Sequence, residues 1–214
     1  MFVPPPYREP DDSWTVDLIR NNPLALLVSN AGPAEGPLAT HLPVIPDPRT
    51  PGELSGGLSG AVLVGHMNRA NPHWAALEDG GVALLTFTGP HAYVSPTVYG
   101  VTPAAPTWNF TSVHARGTIE RIESADGTLD VVKSTVQAFE ERFGADWDMS
   151  ESICYFRKIL PGVGAFRFTV TAVDSMFKLS QEQAPEIRDR VQQSFSGRGC
   201  TRHLATASLM SDLP

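Results

Sequence analysis

Four short apolar runs, LALLVSN (24–30), LATHLPVI (38–45), AVLVGHM (61–67) and VALLTFT (82–88), stand between clusters of Gly, Pro and Asn in the first half of the chain. Runs of this length between turn residues predict buried β-strands. FTSVHARGTIERI (110–122) alternates well enough for a longer strand, and GAFRFTVTAV (164–173) predicts another. The polar, Gly/Pro-rich stretch PDPRTPGELSGGLSG (46–60) predicts a loop. Helical spacing appears elsewhere. SWTVDLIRNNP places Trp14, Val16, Leu18 and Ile19 behind a capping-type Asp/Ser pair and stops before Pro23. Leu129, Val132, Val136, Phe139 and Phe143 recur at spacings of three and four, with Asp126 ahead and Gly144 behind, which predicts an amphipathic helix. SESICYFRKIL (150–160) predicts a further helix, stopped by Pro161-Gly162. The last third returns to helix, with Pro185 at a first-turn position and Ile187, Val191 and Phe195 on one face.

Strands concentrated early, with helices inserted at about 126–160 and appended at about 184–214, predict a mainly β, α+β fold: an antiparallel barrel with peripheral helices. A chain of 214 residues fits one domain over 1–214.

Composition narrows the function classes. Charged residues make up 18% of the chain and the net charge is −7, which argues against a nucleic-acid surface, because phosphate binding depends on Lys and Arg. No run is long enough for a membrane span, and MFVPPPYREPDDSW lacks the apolar stretch of a secretory signal. Cys154 and Cys200 lie far apart without a CxxC partner, so no disulfide framework or structural zinc site is indicated. Cys154 reads as a small apolar filler on its helix. A reducing cytoplasm is the expected location.

Four stretches mix aromatic, hydroxyl, amide and cationic side chains as a ligand pocket does: GHMNRANPHW (65–74), GPHAYVSPTVY (89–99), APTWNFTSVHARG (105–117) and MFKLSQEQ (176–183). Any one alone reads as a turn. A histidine ending an apolar strand, as His66 does, is more often a buried, hydrogen-bonded residue than a metal ligand. Trp108 either stacks on a ring or fills core, core being the commoner outcome. Asn109-Phe110-Thr111 matches a glycosylation sequon by letter only.

Taken in order, GHMNRANPHW, FTGPHAYVSPTVY, PTWNFTSVHARG and KLSQ resemble the PaiB-like family of FMN-binding split-barrel proteins, often described as negative transcriptional regulators. The resemblance runs from MFVPPPY to the KLSQ segment and implies a split β-barrel of the FMN-binding type. GHMN where regulators more often carry GHxA, KLSQEQ where they tend to have Asn after the Gln, and FGADWDMSESICYFRKILPGVGAFR are similar to the heme-dependent piperazate synthases. That subgroup implies cyclisation of N5-hydroxy-L-ornithine to L-piperazic acid with heme b as cofactor, or FMN if the parent family's habit holds.

The resemblance also implies roles. His66 is the axial iron ligand, with an acceptor orienting its other ring nitrogen. Arg69 and Lys178 pair with heme propionates, and Asn68, Trp108 and Asn109 complete the cofactor-binding set. Tyr93, Ser95 and Thr107 line the distal pocket, with Tyr93 passing a proton to the departing hydroxyl. His114 and Glu182 serve acid–base chemistry or amine recognition. A homodimer with its site at the interface is expected. Three rivals remain: a flavin-dependent reductase or non-catalytic FMN protein, a DNA-binding repressor, and a heme-degrading or heme-storage protein.

Overall fold

The computed structural model describes residues 1–32, 36–50, 54, 57–145 and 147–214. In chain order the elements are α1 (Asp12–Asn21), β1 (Leu24–Asn30), β2 (Pro37–Pro46), β3 (Val62–Asn68), α2 (Pro72–Ala76), β4 (Val82–Val94), β5 (Thr107–Ile122), α3 (Ala125–Phe143), α4 (Ile153–Ile159), β6 (Val163–Lys178), α5 (Pro185–Ser196) and α6 (Thr201–Ser211). Short 3-10 turns lie at Pro5–Tyr7, Pro96–Val98, Ser150–Ser152 and Leu160–Gly162. The strands form a closed barrel in the order β1-β2-β3-β6-β5-β4. The predicted mainly β, α+β architecture is the one observed. Within the predicted loop 46–60, residues 51–53 and 55–56 lie outside the described residues.

The chain divides into two compact units. The barrel unit comprises Asn22–Phe87 and His114–Val173. In it β1 pairs antiparallel with β2 from Leu24↔Pro43 to Asn30↔Pro37, and with β4 from Leu26↔Thr86 to Ser29↔Ala83. β3 pairs with β2 through Val44↔Gly65 and with β6 from Val62↔Thr169 to Asn68↔Val163. Leu27, Leu63, Leu85, Phe87, Phe166 and Phe168 are fully buried. At about 1.5–3 kcal/mol for each such side chain, they dominate the stability of the unit. Gly65 is required by this packing: a Cβ there would lie 2.7 Å from Cζ of Phe166 and 3.0 Å from the Pro43 carbonyl. Helix α3 covers Ile45, Val64, Ile122 and Ala165 with Val131, Ala138 and Phe139.

The terminal unit comprises Met1–Asn21, Thr88–Val113 and Asp174–Pro214. Helix α1 begins where Asp11 accepts the Ser13 amide at 2.8 Å. It buries Thr15, Val16, Leu18 and Ile19. The Thr15 hydroxyl donates to Ser175 at 2.7 Å, and Trp14 meets the Phe177 ring edge-on at 5.4 Å. Helices α5 and α6 pack together, burying Val191 and Phe195 from one and Thr206, Ala207 and Met210 from the other.

Several expectations are corrected in detail. β4, β5 and β6 run longer than their apolar cores suggest, so GPHAYV, TWN and MFK are strand and not turn. Alternation persists past Gly89-Pro90, with Ala92 and Val94 buried and Tyr93 turned outward, and the Pro90 carbonyl accepts from Thr111 Oγ1 at 3.2 Å. Helix α3 is capped by Ser124, whose Oγ accepts the Gly127 amide. Its fully buried residues are Thr128, Leu129, Val131 and Thr135, while Phe143 is exposed. The buried face is displaced from the apolar stripe because Thr135 returns its hydroxyl to the Val131 carbonyl at 2.8 Å and packs as a β-branched methyl. Cys154 is exposed and fills no core.

Candidate functional site

In the barrel unit, β3 carries His66 directly opposite Ala165 of β6. The imidazole is half-buried, its Nδ1 is shielded from water, and among the described residues that nitrogen has no hydrogen-bond partner. Burial pushes its pKa below the ordinary histidine value, so the ring is neutral near pH 7. Among the described residues no acceptor meets Nδ1, and the residue paired with His66 across the strands, Ala165, brings only a methyl group. A neutral imidazole with a free lone pair is the form that binds a metal. No group of three His, Cys, Asp or Glu side chains among the described residues is placed to hold a metal by itself. A single nitrogen from His66 could hold only a metal whose other ligands a cofactor supplies.

His73 shows the contrasting outcome. It is almost fully buried, and its Nε2 and Nδ1 lie 2.9 Å from Ser29 Oγ on β1 and 2.8 Å from Thr40 Oγ1 on β2. Asn71, whose Oδ1 caps α2 by accepting the His73 amide at 3.0 Å, also donates to Thr40 Oγ1 at 3.1 Å. This histidine is a strand clamp. Asn68 is exposed and accepts the Ala70 amide at 2.8 Å, shaping the turn into α2. Arg69 is exposed, donates through Nε to the Val163 carbonyl at 2.8 Å and lies 5.4 Å from the Trp74 ring centroid. Arg121 lies 5.9 Å from the same centroid. Gly164 lets the indole approach, since a Cβ there would sit 2.5 Å from it. His114 is half-buried on β5 of this unit.

The terminal unit gathers a second group. Lys178, the last residue of β6, donates to the Thr107 hydroxyl and holds its ammonium 5.8 Å from the Tyr7 ring centroid. The following turn is tied at every residue. Ser180 takes a left-handed φ of 64° and donates to Asn109 Oδ1 at 3.0 Å, while Gln181 accepts the Leu179 amide at 2.6 Å and donates to the Phe177 carbonyl at 2.5 Å. Asn109 is fully buried and also donates to Met210 Sδ at 3.5 Å. Its amide therefore holds the turn in place and has no surface for a ligand. Glu182, exposed after this turn, lies close enough to Tyr7 and Tyr99 to act on both phenols electrostatically. Burial first, and then the Glu182 charge, raise the pKa of both phenols above the ordinary tyrosine value.

Trp108 is 50% exposed, so the core expectation for it is wrong. It stands between Tyr93, with ring centroids 5.8 Å apart, and His91, at 6.1 Å, forming an aromatic shelf. His91 Nε2 faces Arg202 at 3.4 Å. Ser95 caps the Pro96–Val98 turn through the Thr97 amide, a structural use of its hydroxyl. Sequence reasoning missed Tyr7 and gave Tyr99 no role. Their signal was an aromatic residue ending the PPPY run and another closing SPTVY, where prolines favour a tight turn that turns a ring inward.

Comparison with known proteins agrees with this architecture. A family model described as "Putative FMN-binding domain" matches residues 1–172. The chain is 25% identical over 187 residues to protease synthase and sporulation protein PAI 2 of Bacillus subtilis, covering 86% of this chain and 83% of that protein. It is 26% identical over 245 residues to an uncharacterized protein of Emericella nidulans, covering 99% and 97%. Among solved structures, the FAD and heme binding protein of Mycobacterium smegmatis superposes with a TM-score of 0.57 at 19% identity, over 79% of this chain and 72% of that one. The flavocytochrome Anf3 of Azotobacter vinelandii gives 0.51 at 14% identity, over 79% and 68%. These structures share the fold. With its six-stranded barrel, its ordered motifs and a family match over most of its length, the chain belongs to the FMN-binding domain family of split-barrel proteins.

Proposed function

We propose that the protein is a heme-dependent cyclase that converts N5-hydroxy-L-ornithine into L-piperazic acid. The observation that supports this most directly is His66, a neutral, half-buried imidazole with an unpartnered ring nitrogen at the end of a barrel strand. The GHMN and KLSQEQ motifs add to it, through their resemblance to the piperazate synthases.

The reaction is redox-neutral. The α-nitrogen forms the N–N bond and gives up a proton, N5 loses its hydroxyl, and the two leave as water. Both nitrogens are nucleophiles by default, so N5 must become electrophilic. Bound heme supplies Lewis-acid weakening of the N–O bond. His66 would hold that iron from the barrel unit, and the exposed guanidinium of Arg69 would meet a carboxylate of the cofactor. Lys178, fixed by Thr107, offers a second cation for an acidic group. Tyr93 would return a proton to the leaving hydroxyl, with His114 available for proton transfer. Trp108 and Tyr93 present flat aromatic surface. The working form is proposed to be a homodimer acting on a free small molecule.

A second reading, an FMN-binding protein without this chemistry, is favoured by the family match itself. The absorption spectrum separates the two. Protein expressed with a heme precursor and then offered heme and FMN should develop a Soret band and turn over N5-hydroxyornithine with its heme intact. Flavin bands with no Soret band after heme addition would overturn the cyclase reading, and loss of the porphyrin during turnover would point to heme degradation.

A further inference from the structure

In the terminal unit β4 turns Ala92 and Val94 inward and His91 and Tyr93 toward the other face, as alternation along a strand requires. Trp108 on β5 stands between those two rings, with centroids 5.8 Å from Tyr93 and 6.1 Å from His91. The three rings cover part of one another, yet Trp108 remains 50% and Tyr93 42% exposed. Contiguous aromatic surface held in water in this way marks a place where a ligand or partner lies.

The His91 end of the row carries a cation. The Gly89 carbonyl can only accept, so His91 Nδ1, 3.1 Å away, holds the ring proton and leaves Nε2 as an acceptor. Arg202 of α6 donates to that Nε2 through Nη1 at 3.4 Å. The guanidinium is therefore held at the end of the row by a ring nitrogen, and among the described residues no carboxylate pairs with it. Two separate observations meet here: apolar ring surface left in water and, beside it, an oriented cation without a counter-ion. The molecule that complements both has an aliphatic body to lie on the rings and a carboxylate at one end, which a guanidinium can bind with two parallel hydrogen bonds.

We infer that this row is the docking site for the α-carboxylate of the substrate. Arg202 takes the carboxylate, Trp108 carries the methylene chain, and His91 is a positioning residue that aims the guanidinium. The identity of the substrate rests on the cyclase reading. Ring closure needs the chain bent until the α-nitrogen reaches N5, and a substrate anchored at N5 alone keeps the rotations that oppose this. Holding the carboxylate on Arg202 and the methylenes on Trp108 restricts them. The site also selects: an N-hydroxylated diamine without the carboxylate loses the contact with Arg202. That residue lies beyond residues 1–172, the segment the family model covers, so the appended helix α6 supplies the specificity element.

The test uses the full chain, loaded with the cofactor it takes up, and two probes that cannot form an N–N bond. 5-Hydroxy-L-norvaline keeps the α-carboxylate, and 4-aminobutan-1-ol has the same chain and amine without it. Calorimetry should show the first binding at least about tenfold more tightly, as a charge-assisted bidentate contact implies. Arg202→Gln should remove that preference and leave the affinity for 4-aminobutan-1-ol as in the parent. His91→Phe keeps a ring in the row but offers no acceptor, and should reduce the preference. Trp108→Leu should weaken both probes by a similar factor, since the indole meets the chain they share. Thermal melting and cofactor uptake of the Arg202 and His91 variants should match the parent. Equal binding of the two probes, binding of neither, or an unchanged preference in Arg202→Gln would overturn the proposal. Lost cofactor uptake in Arg202→Gln with the preference intact would overturn it as well, by giving the guanidinium to an acidic group of the cofactor. If the protein takes up only FMN yet keeps the Arg202-dependent preference, the cyclase reading fails and the carboxylate site stands. If it loads heme and cyclises N5-hydroxyornithine while Arg202→Gln keeps the parent's preference, the carboxylate site fails and the cyclase reading stands.

Discussion

Ser180 donates its hydroxyl to Asn109 at 3.0 Å from a backbone held at φ 64°, so a residue other than glycine occupies the left-handed region inside the KLSQ motif. The hydrogen bond offsets a conformation that costs a non-glycine residue about 1 kcal/mol or more. Replacing Ser180 therefore separates two effects. Ser180→Gly loses the bond but relieves the backbone, while Ser180→Ala loses the bond and keeps the strain. Urea unfolding should find the alanine variant less stable than the glycine variant by about 1 kcal/mol, and equal midpoints would show that the turn is not strained.

Gly65, beside His66, faces Phe166 so closely that a side chain has no room. Gly65→Ala should destabilise the protein by about 1–3 kcal/mol through displacement of the Phe166 ring. The measurement is a shift of the denaturation midpoint at unchanged slope, and an unshifted midpoint would show that β3 and β6 yield without cost.

His73 ties β1 to β2 through hydroxyls on both ring nitrogens, and burial lowers its pKa from the ordinary 6.5. Burial acts on His66 in the same direction. Folded and unfolded chains are equally deprotonated well above pH 6.5, so this contribution to stability is complete there. As pH falls below 6.5 the unfolded chain binds protons that the folded chain refuses, and stability declines until the depressed folded pKa values are reached. Denaturation midpoints measured downward from pH 7.5 should fall across this window. His73→Ala should cost about 2–3 kcal/mol near neutrality and make that fall shallower; an unchanged slope would remove His73 from the account.

His66→Ala addresses the cofactor alone. Nδ1 has no partner among the described residues, so removing the ring costs no hydrogen bond at that nitrogen. The variant should keep its far-ultraviolet circular dichroism and lose most of its heme retention. Full heme occupancy with an unchanged Soret band would exclude His66 as the iron ligand.

The alternation of apolar and polar residues made six strands and the main helices legible, because burying one face of a strand or helix leaves a periodic trace in the chain. Ile187, Val191 and Phe195 announced α5 in this way, and Val191 and Phe195 are buried. Helix α3 was legible as a helix but not in its orientation, since Thr128 and Thr135 bury their methyls while returning their hydroxyls to the backbone. The long tails of β4, β5 and β6 were hidden behind Gly89-Pro90 and polar side chains.

The candidate site divides along the same line. The sequence by itself determined that His66 ends an apolar strand, that Lys178 and Glu182 flank the Leu-Ser-Gln segment, and, through its motifs, the family. Only the tertiary structure decided that His73 has both ring nitrogens bonded, while His66 Nδ1 has no partner among the described residues. His73 lies beneath the hydroxyls of Ser29 and Thr40, whereas His66 faces the methyl of Ala165. It likewise decided that the Tyr7 ring, distant by more than a hundred and fifty residues, meets the Lys178 ammonium. Local periodicity records how much of a segment is buried, but the identity of the group across from a side chain depends on strand register and on chain segments far apart in sequence, which no local pattern encodes.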